Sequence, residues 1–239
     1  MKMEIFARNL ILLGEEGQDY LFSARVALFG LGGVGSYVAE ALTRAGIGEI
    51  LLVDHDIVEM SNLNRQLFAL HSSLGQDKVA VARERLKDIN PELVISAKKV
   101  KCSAENIATI MDKEYDFIVD AIDDVPGKIA LAKYALTTKT PIICSMGTAN
   151  RISTKGFCFT DISRTDGCPL ARSFRKKLRL EGITEGIRVL YNPLPALKGS
   201  SKGTISYVPS LAGLLIAEEA VNYLLQRKDS NGEKKDKLL

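Results

Sequence analysis

The 239-residue sequence predicts an α/β fold: a Rossmann-like, mostly parallel twisted sheet with helices on both faces, followed by a C-terminal extension of different rhythm. Three observations predict it. Short apolar runs alternate with helical periodicities through residues 1–150. A glycine turn, Gly30-Leu31-Gly32-Gly33-Val34-Gly35, separates the first run from the first helix. After Asn150 the alternation stops.

Taken in order, residues 26–30 are a short apolar run suited to a strand buried on both faces. A helix over 34–44 follows the glycines, with Gly46 where a left-handed C-terminal cap is wanted. Residues 50–53 form the next strand. Over 78–89 apolar residues recur at 79, 82, 86 and 89, one helical face, and Asn90-Pro91 stops it. Residues 93–100 read as a strand, and Ser103 as the N-cap of a helix through Met111. Residues 117–122 and 141–146 are strands around a helix over 126–136. This alternation implies a parallel sheet with right-handed crossovers.

Beyond Asn150, residues 151–162 read as an extended, antiparallel segment. A helix over 169–180 places Leu170, Phe174 and Leu178 on one face and stops at Gly182. Residues 192–204, rich in Pro, Gly and Ser, read as a mobile loop. A last helix runs over 209–226, and the charged tail 227–239 is expected to be disordered. The organisation is thus a nucleotide-binding core (1–150), a continuation of the same domain that faces the substrate (151–226), and a tail.

Composition narrows the class. Hydrophobic residues at 46% and charged residues at 26% are ordinary for a soluble globular chain, and a net charge of +3 does not by itself argue for nucleic acid. Cys102, Cys144, Cys158 and Cys168 form no C-x-x-C pair. This argues against a structural zinc site and a disulfide framework, and all but Cys168 sit in or near apolar segments that suit a core. The N-terminal segment lacks the pattern of a signal peptide, so a cytoplasmic location is expected. The most apolar helix candidate, 211–225, carries Glu218 and Glu219 and reads as too short and too charged to span a bilayer.

Gly30, Gly32, Gly33 and Gly35 let a backbone approach phosphate at a helix N-terminus. Asp54, with Asp56 just after it, ends the second strand about 20 residues on, where a carboxylate accepts ribose hydroxyls. The nucleotide is decided downstream. A dehydrogenase needs a polarising group at a hydride-transfer site, and the two histidines, His55 and His71, lie in no convincing second domain. Asn62, Asn64, Arg65, Gln66 and Lys78 instead supply donors for polyphosphate oxygens and for charge developing at an attacked α-phosphate. Asp123, ending the fourth strand, can hold Mg²⁺ through one carboxylate or cap the next helix. The plain alternative for Arg65 and Lys78 is a solvated helix surface.

This set resembles the ubiquitin-activating-enzyme superfamily, whose bacterial members adenylate a carboxylate. The resemblance matches Gly30, Gly32, Gly33 and Gly35 to the glycine turn and Asp54 to the ribose carboxylate. It matches Asn62, Arg65 and Gln66 to the phosphate-contacting segment, Lys78 to the phosphate lysine and Asp123 to the magnesium aspartate. Arg8, in Arg8-Asn9-Leu10-Ile11-Leu12-Leu13-Gly14, matches the arginine contributed by a second protomer, which implies a homodimer. Relatives that activate sulfur carriers usually carry two C-x-x-C pairs or a rhodanese-like domain, and this sequence has neither. The block 161–172, with strand 187–191 and a Pro-containing loop, is similar to the tRNA threonylcarbamoyladenosine dehydratase branch. That resemblance implies ATP and Mg²⁺, a tRNA carrying threonylcarbamoyladenosine, and a cysteine-desulfurase system as an accompanying partner. ATP would adenylate the threonylcarbamoyl carboxylate, and a group of the same modification would displace AMP.

Arg172, Arg175, Lys176, Lys177 and Arg179 add a basic helix suited to phosphate contacts, which Arg188, Lys198 and Lys202 would extend. Its alternative is a solvated amphipathic face. Cys168 precedes Pro169 at a helix start, where a thiol can be activated, or where it merely shapes the entry. The competing functions are adenylation of a ubiquitin-like sulfur carrier and a non-catalytic sulfur-relay or tRNA-binding scaffold.

Overall fold

The computed structural model describes residues 2–199 and 201–227. Seven strands form one sheet: β1 Arg25–Phe29, β2 Glu49–Asp54, β3 Val94–Lys99, β4 Phe117–Asp120, β5 Ile142–Ser145, β6 Cys158–Asp161 and β7 Arg188–Tyr191. Their order is β3-β2-β1-β4-β5-β7-β6. All neighbours pair in parallel except β6 and β7, which are antiparallel. The helices are α1 Lys2–Ile5, α2 Ala7–Ser23, α3 Gly35–Ala45, α4 Lys78–Ile89, α5 Ile107–Ile110, α6 Val125–Thr138, α7 Pro169–Leu180 and α8 Tyr207–Arg227. The expected α/β class and mostly parallel sheet are what the structure has.

Alternate residues of each central strand feed two cores. Val26, Leu28, Ile50, Leu52 and Val119 pack with α3, α4 and α8 on one face. Ala27, Phe29, Leu51, Val53 and Ile118 pack with α5, α6 and α7 on the other. Burial on both faces explains why these strands read as continuous apolar runs. The strand order reverses between β1 and β4, so a crevice opens at their carboxyl ends, where open α/β sheets take ligands.

Several expectations are corrected. Ser103 is not a helix N-cap: its own N–H donates to Asn106 Oδ1 at 2.8 Å, Asn106 precedes the helix, and α5 is one turn long. Of 151–162 only Cys158–Asp161 is a strand, and Cys158, on this edge strand, is exposed rather than core. Leu170 is only half-buried, and Ala171 joins Phe174 and Leu178 on the inner face of α7. The last helix begins earlier than 209, and 20 of its residues, Tyr207–Gln226, are long and apolar enough to cross a membrane. What places it in the core is packing: Val208, Ala212, Ile216, Ala217 and Ala220 are buried, and Gly213 abuts the backbone at Val34, just before α3, and at Val38 within it. Residues 228–239 of the tail and Ser200 lie outside the described residues.

Candidate active site

The glycine turn forms because its backbone has no room for side chains. Gly30 holds φ at +90°, and a Cβ there would sit 2.6 Å from the carbonyl oxygen of Ala121, the residue just after β4. At Gly35 a Cβ would lie 1.8 Å from the Gly30 carbonyl oxygen. Gly32 is different: a Cβ would meet no protein atom within 4 Å. Its bareness leaves space on the cavity side, and among the described residues the Gly32 and Gly33 amides find no acceptor. Unpaired amides ahead of α3 are what an anion seeks.

The turn opens into a cavity of about 800 Å³ at the carboxyl ends of β1, β2, β4 and β5. Gly30, Gly32, Gly33, Asp54, Asp56, Asn62, Asn64, Arg65, Gln66, Lys78 and Asp123 all line it. Their roles differ. Asp54 is buried and braces the turn: Oδ2 accepts from Leu31 N at 2.6 Å and Oδ1 from Asp56 N at 2.9 Å. Asn62 is also buried and serves locally, its Oδ1 accepting from Glu59 N at 3.2 Å. Lys78 is 5% exposed, so the solvated-surface alternative fails for it. Its Nζ bonds Asp56 Oδ2 at 2.8 Å. Burial alone would raise the Asp56 pKa, but the Lys78 bond and charge, with His55 and Lys101, hold it below the usual carboxylate value.

Arg65 is half-exposed, and its Nη1 donates to Ser61 O at 2.7 Å and to Asn64 Oδ1 at 3.0 Å. Neither acceptor carries a charge, so a phosphate oxygen would compete well for this guanidinium. The helix-cap alternative for Asp123 belongs instead to its neighbour: Asp124 Oδ2 accepts from Gly127 N at 2.9 Å. Asp123 is exposed into the cavity, and its carboxylate takes no bond from the described residues.

Beneath this floor lies a pair that sequence reasoning missed. Lys128 and Asp120 are both fully buried and bonded at 2.9 Å. Lys128 Nζ also donates to Ser145 O at 2.8 Å, and Asp120 Oδ1 accepts from Ile122 N at 3.0 Å. The pair therefore fixes the ends of β4 and β5, the two strands that deliver Asp123 and the segment 146–151. Lys101 and Arg151 also line the cavity and were not foreseen. For Lys101 a signal existed, since it stands just after β3 at a carboxyl edge.

Other predicted residues lie elsewhere. Arg8 is on an exposed face of α2 and does not line its own chain's cavity. On α7, Arg172, Lys176, Lys177 and Arg179 are exposed, but Arg175 is committed to Thr165, whose backbone carbonyl it meets at 2.7 Å. Arg188 does not extend the basic patch. It begins β7, at the far end of the sheet from the cavity, and pairs with Glu219 while stacking over Phe159. Cys168 is 3% exposed, lines the cavity and faces Gly147.

A sequence profile described as the ThiF family matches residues 6–238. The chain belongs to the ThiF family. Within that family it is 40% identical over 240 residues to the tRNA threonylcarbamoyladenosine dehydratase of Bacillus subtilis (strain 168), spanning 92% of this chain and 94% of that protein. The Escherichia coli (strain K12) protein of the same name is 33% identical over 214 residues, spanning 87% and 80%. The crystal structure of E. coli tRNA N6-threonylcarbamoyladenosine dehydratase in complex with ATP superposes with a TM-score of 0.93 at 30% identity, covering 96% of this chain and 97% of that one. Its complex with AMP gives 0.92. The resemblance first seen in the glycine turn thus extends across the whole ThiF-family chain.

Proposed function

We propose that this chain is an ATP-dependent tRNA-modifying enzyme that adenylates the carboxylate of threonylcarbamoyladenosine and drives its dehydrative cyclisation. The observation that carries the reading is one cavity in which bare glycine amides, Arg65, buried Lys78 and an unbonded Asp123 carboxylate converge. Similarity over 92% of the chain to a dehydratase of that name supports the substrate.

In this reading the amides of Gly32 and Gly33 hold the phosphate chain, and Lys78 and Arg65 stabilise the charge that builds as a carboxylate oxygen attacks the α-phosphorus. Pyrophosphate leaves. A nucleophilic atom of the same threonylcarbamoyl group then attacks the acyl carbon and AMP departs, so the net change is loss of one water from the nucleoside. The attacking atom is tethered beside its target, and the enzyme needs no nucleophile of its own. Asp123 fits Mg²⁺, because a lone cavity-facing carboxylate beside phosphates is how that ion is usually held. When bound, the ion would neutralise phosphate charge.

A homodimer completes the reading. Ile11 and Leu12, beside Arg8 on α2, are 79% and 81% exposed, an apolar face suited to a second copy. That copy would bring its Arg8 to the neighbouring cavity. The exposed cations of α7 would take tRNA phosphates, and the activity belongs in the cytoplasm with its tRNA.

The deciding experiment is nucleoside mass spectrometry of threonylcarbamoylated tRNA after incubation with the protein, ATP and Mg²⁺. The expected result is loss of one water from the modified adenosine. An unchanged nucleoside with pyrophosphate released only by a Gly-Gly-ended carrier protein would move the chain to the carrier-activating branch.

A further inference from the structure

The connection from β7 to α8 forms one wall of the cavity through Ala196, Lys202 and Thr204. Its Pro- and Gly-rich sequence predicts mobility, yet polar bonds fasten both described arms. On the first arm, buried Arg151 donates from Nη1 to Leu194 O at 2.6 Å and from Nη2 to Asn192 O at 2.8 Å. Its Nε finds no acceptor among the described residues, so both of its hydrogen bonds go to this wall. Asn150 then grips both arms. Its carbonyl accepts from Leu197 N at 2.7 Å, and its own N–H donates to Gly203 O at 2.7 Å. Asn150 Oδ1 accepts from Gly203 N at 2.6 Å, and the residue holds a left-handed φ of +57°.

The last tether comes from the phosphate side. Asn64 Nδ2 donates to Thr204 O at 3.0 Å, while Asn64 Oδ1 accepts from Arg65 Nη1 at 3.0 Å. One amide therefore joins the guanidinium at the phosphate end to the wall at the other. A polyphosphate oxygen is a stronger acceptor for Arg65 than a neutral amide carbonyl. A nucleotide phosphate would therefore draw Arg65 off Asn64 Oδ1 and leave the amide, still bonded to Thr204, free to carry the wall to a new position.

We propose that Asn64 is a positioning residue rather than a phosphate ligand, and that it makes the placement of the 201–206 wall depend on occupancy of the phosphate end. The inference rests on the adenylation reading above for the identity of the nucleotide. It implies an order: ATP first, which adjusts the wall, then the carboxylate-bearing RNA against it.

Two substitutions separate the ends of the amide. N64L removes both bonds, and N64D keeps an acceptor for Arg65 but loses the donor to Thr204. Both should raise KM for modified tRNA by roughly tenfold, about the worth of one hydrogen bond; KM for ATP should change by less than about twofold in N64L and rise in N64D, whose carboxylate holds Arg65 against the phosphate. Hydrogen exchange gives a readout independent of the RNA. Adding a non-hydrolysable ATP analogue should change exchange over residues 201–206 in the wild-type protein and leave it unchanged in N64L. Asn64 is exposed, so neither variant removes core packing. A raised KM for ATP with the RNA KM unaltered would overturn the proposal, as would an analogue-induced exchange change that is the same in N64L or absent from the wild type. If the wild type fails to modify tRNA, the functional reading falls while the exchange measurement still decides the coupling.

Discussion

Lys78 opens α4, where a lysine in a sequence is ordinarily a solvated helix residue. Here it is buried against Asp56 and held at the cavity wall. Lys128 is the stronger case, a fully buried ammonium whose partners are one carboxylate and one carbonyl. Removing one member of such a pair leaves an uncompensated buried charge. K128M should therefore lower unfolding stability by about 3–5 kcal/mol, read from urea denaturation. Cys168 makes the opposite prediction. It is buried at the entry to α7, and the chemistry proposed needs no thioester. C168A should keep its turnover in a single-turnover assay, whereas loss of an obligate nucleophile would cost on the order of 10⁴-fold or more. The other buried thiols are unreactive by environment: burial, then Asp120 and Asp124, push Cys102 up to about 12, and burial, then Asp120, raises Cys144 well above the usual thiol value.

Between elements, α3 and α4 are joined by Glu40, which Arg85 meets at 2.8 and 3.2 Å and Arg44 at 2.8 and 2.9 Å. Burial opposes the charged form of Glu40, but the arginine bonds prevail and its pKa falls below 4.5. A depressed folded pKa means the contribution is complete above that unfolded value and lost as pH falls through the lower folded one. E40Q should cost about 1–2 kcal/mol at pH 7, and its difference from wild type should shrink toward zero in acid, measured as melting temperature against pH. On α7 the apolar residues Ala171, Phe174 and Leu178 point inward and leave four exposed cations outward. Replacing Lys176 and Lys177 together with Ala should weaken tRNA binding and reduce its log–log salt slope by roughly 1–2. Equal salt slopes would assign this face to simple solvation.

For the molecule as a whole, one chain's cavity lacks Arg8, which sits on α2 beside exposed Ile11 and Leu12. If a second copy supplies it, R8A and K78A should each be nearly inactive, since an arginine delivered to a transferring phosphate contributes roughly 10³–10⁵ in rate. Mixed and re-equilibrated, they should recover about a quarter of wild-type activity, because half of the dimers then hold one complete site. No recovery on mixing would confine each site to one chain.

The core strands were legible because parallel strands buried on both faces must be apolar throughout, as residues 26–30 and 50–53 are. The glycine turn was legible because only glycine fits the approach of Gly30 to Ala121 and of Gly35 to Gly30. From these and the spacing of Asp54, Arg65, Lys78 and Asp123, the sequence by itself determined the fold class, the family and which residues line the glycine end of the cavity. What only the tertiary structure decided was which polar groups face the cavity and which brace it. Asp54 turns inward to the Leu31 amide of the glycine turn, Arg188 is taken by Glu219, and Lys128 ties Asp120 to the Ser145 carbonyl at the ends of β4 and β5. Asn64 ties the far wall to Arg65. Those outcomes depend on contacts between segments as far apart as Asn64 and Thr204, and no local spacing carries information about a partner that folding alone brings within 3.0 Å.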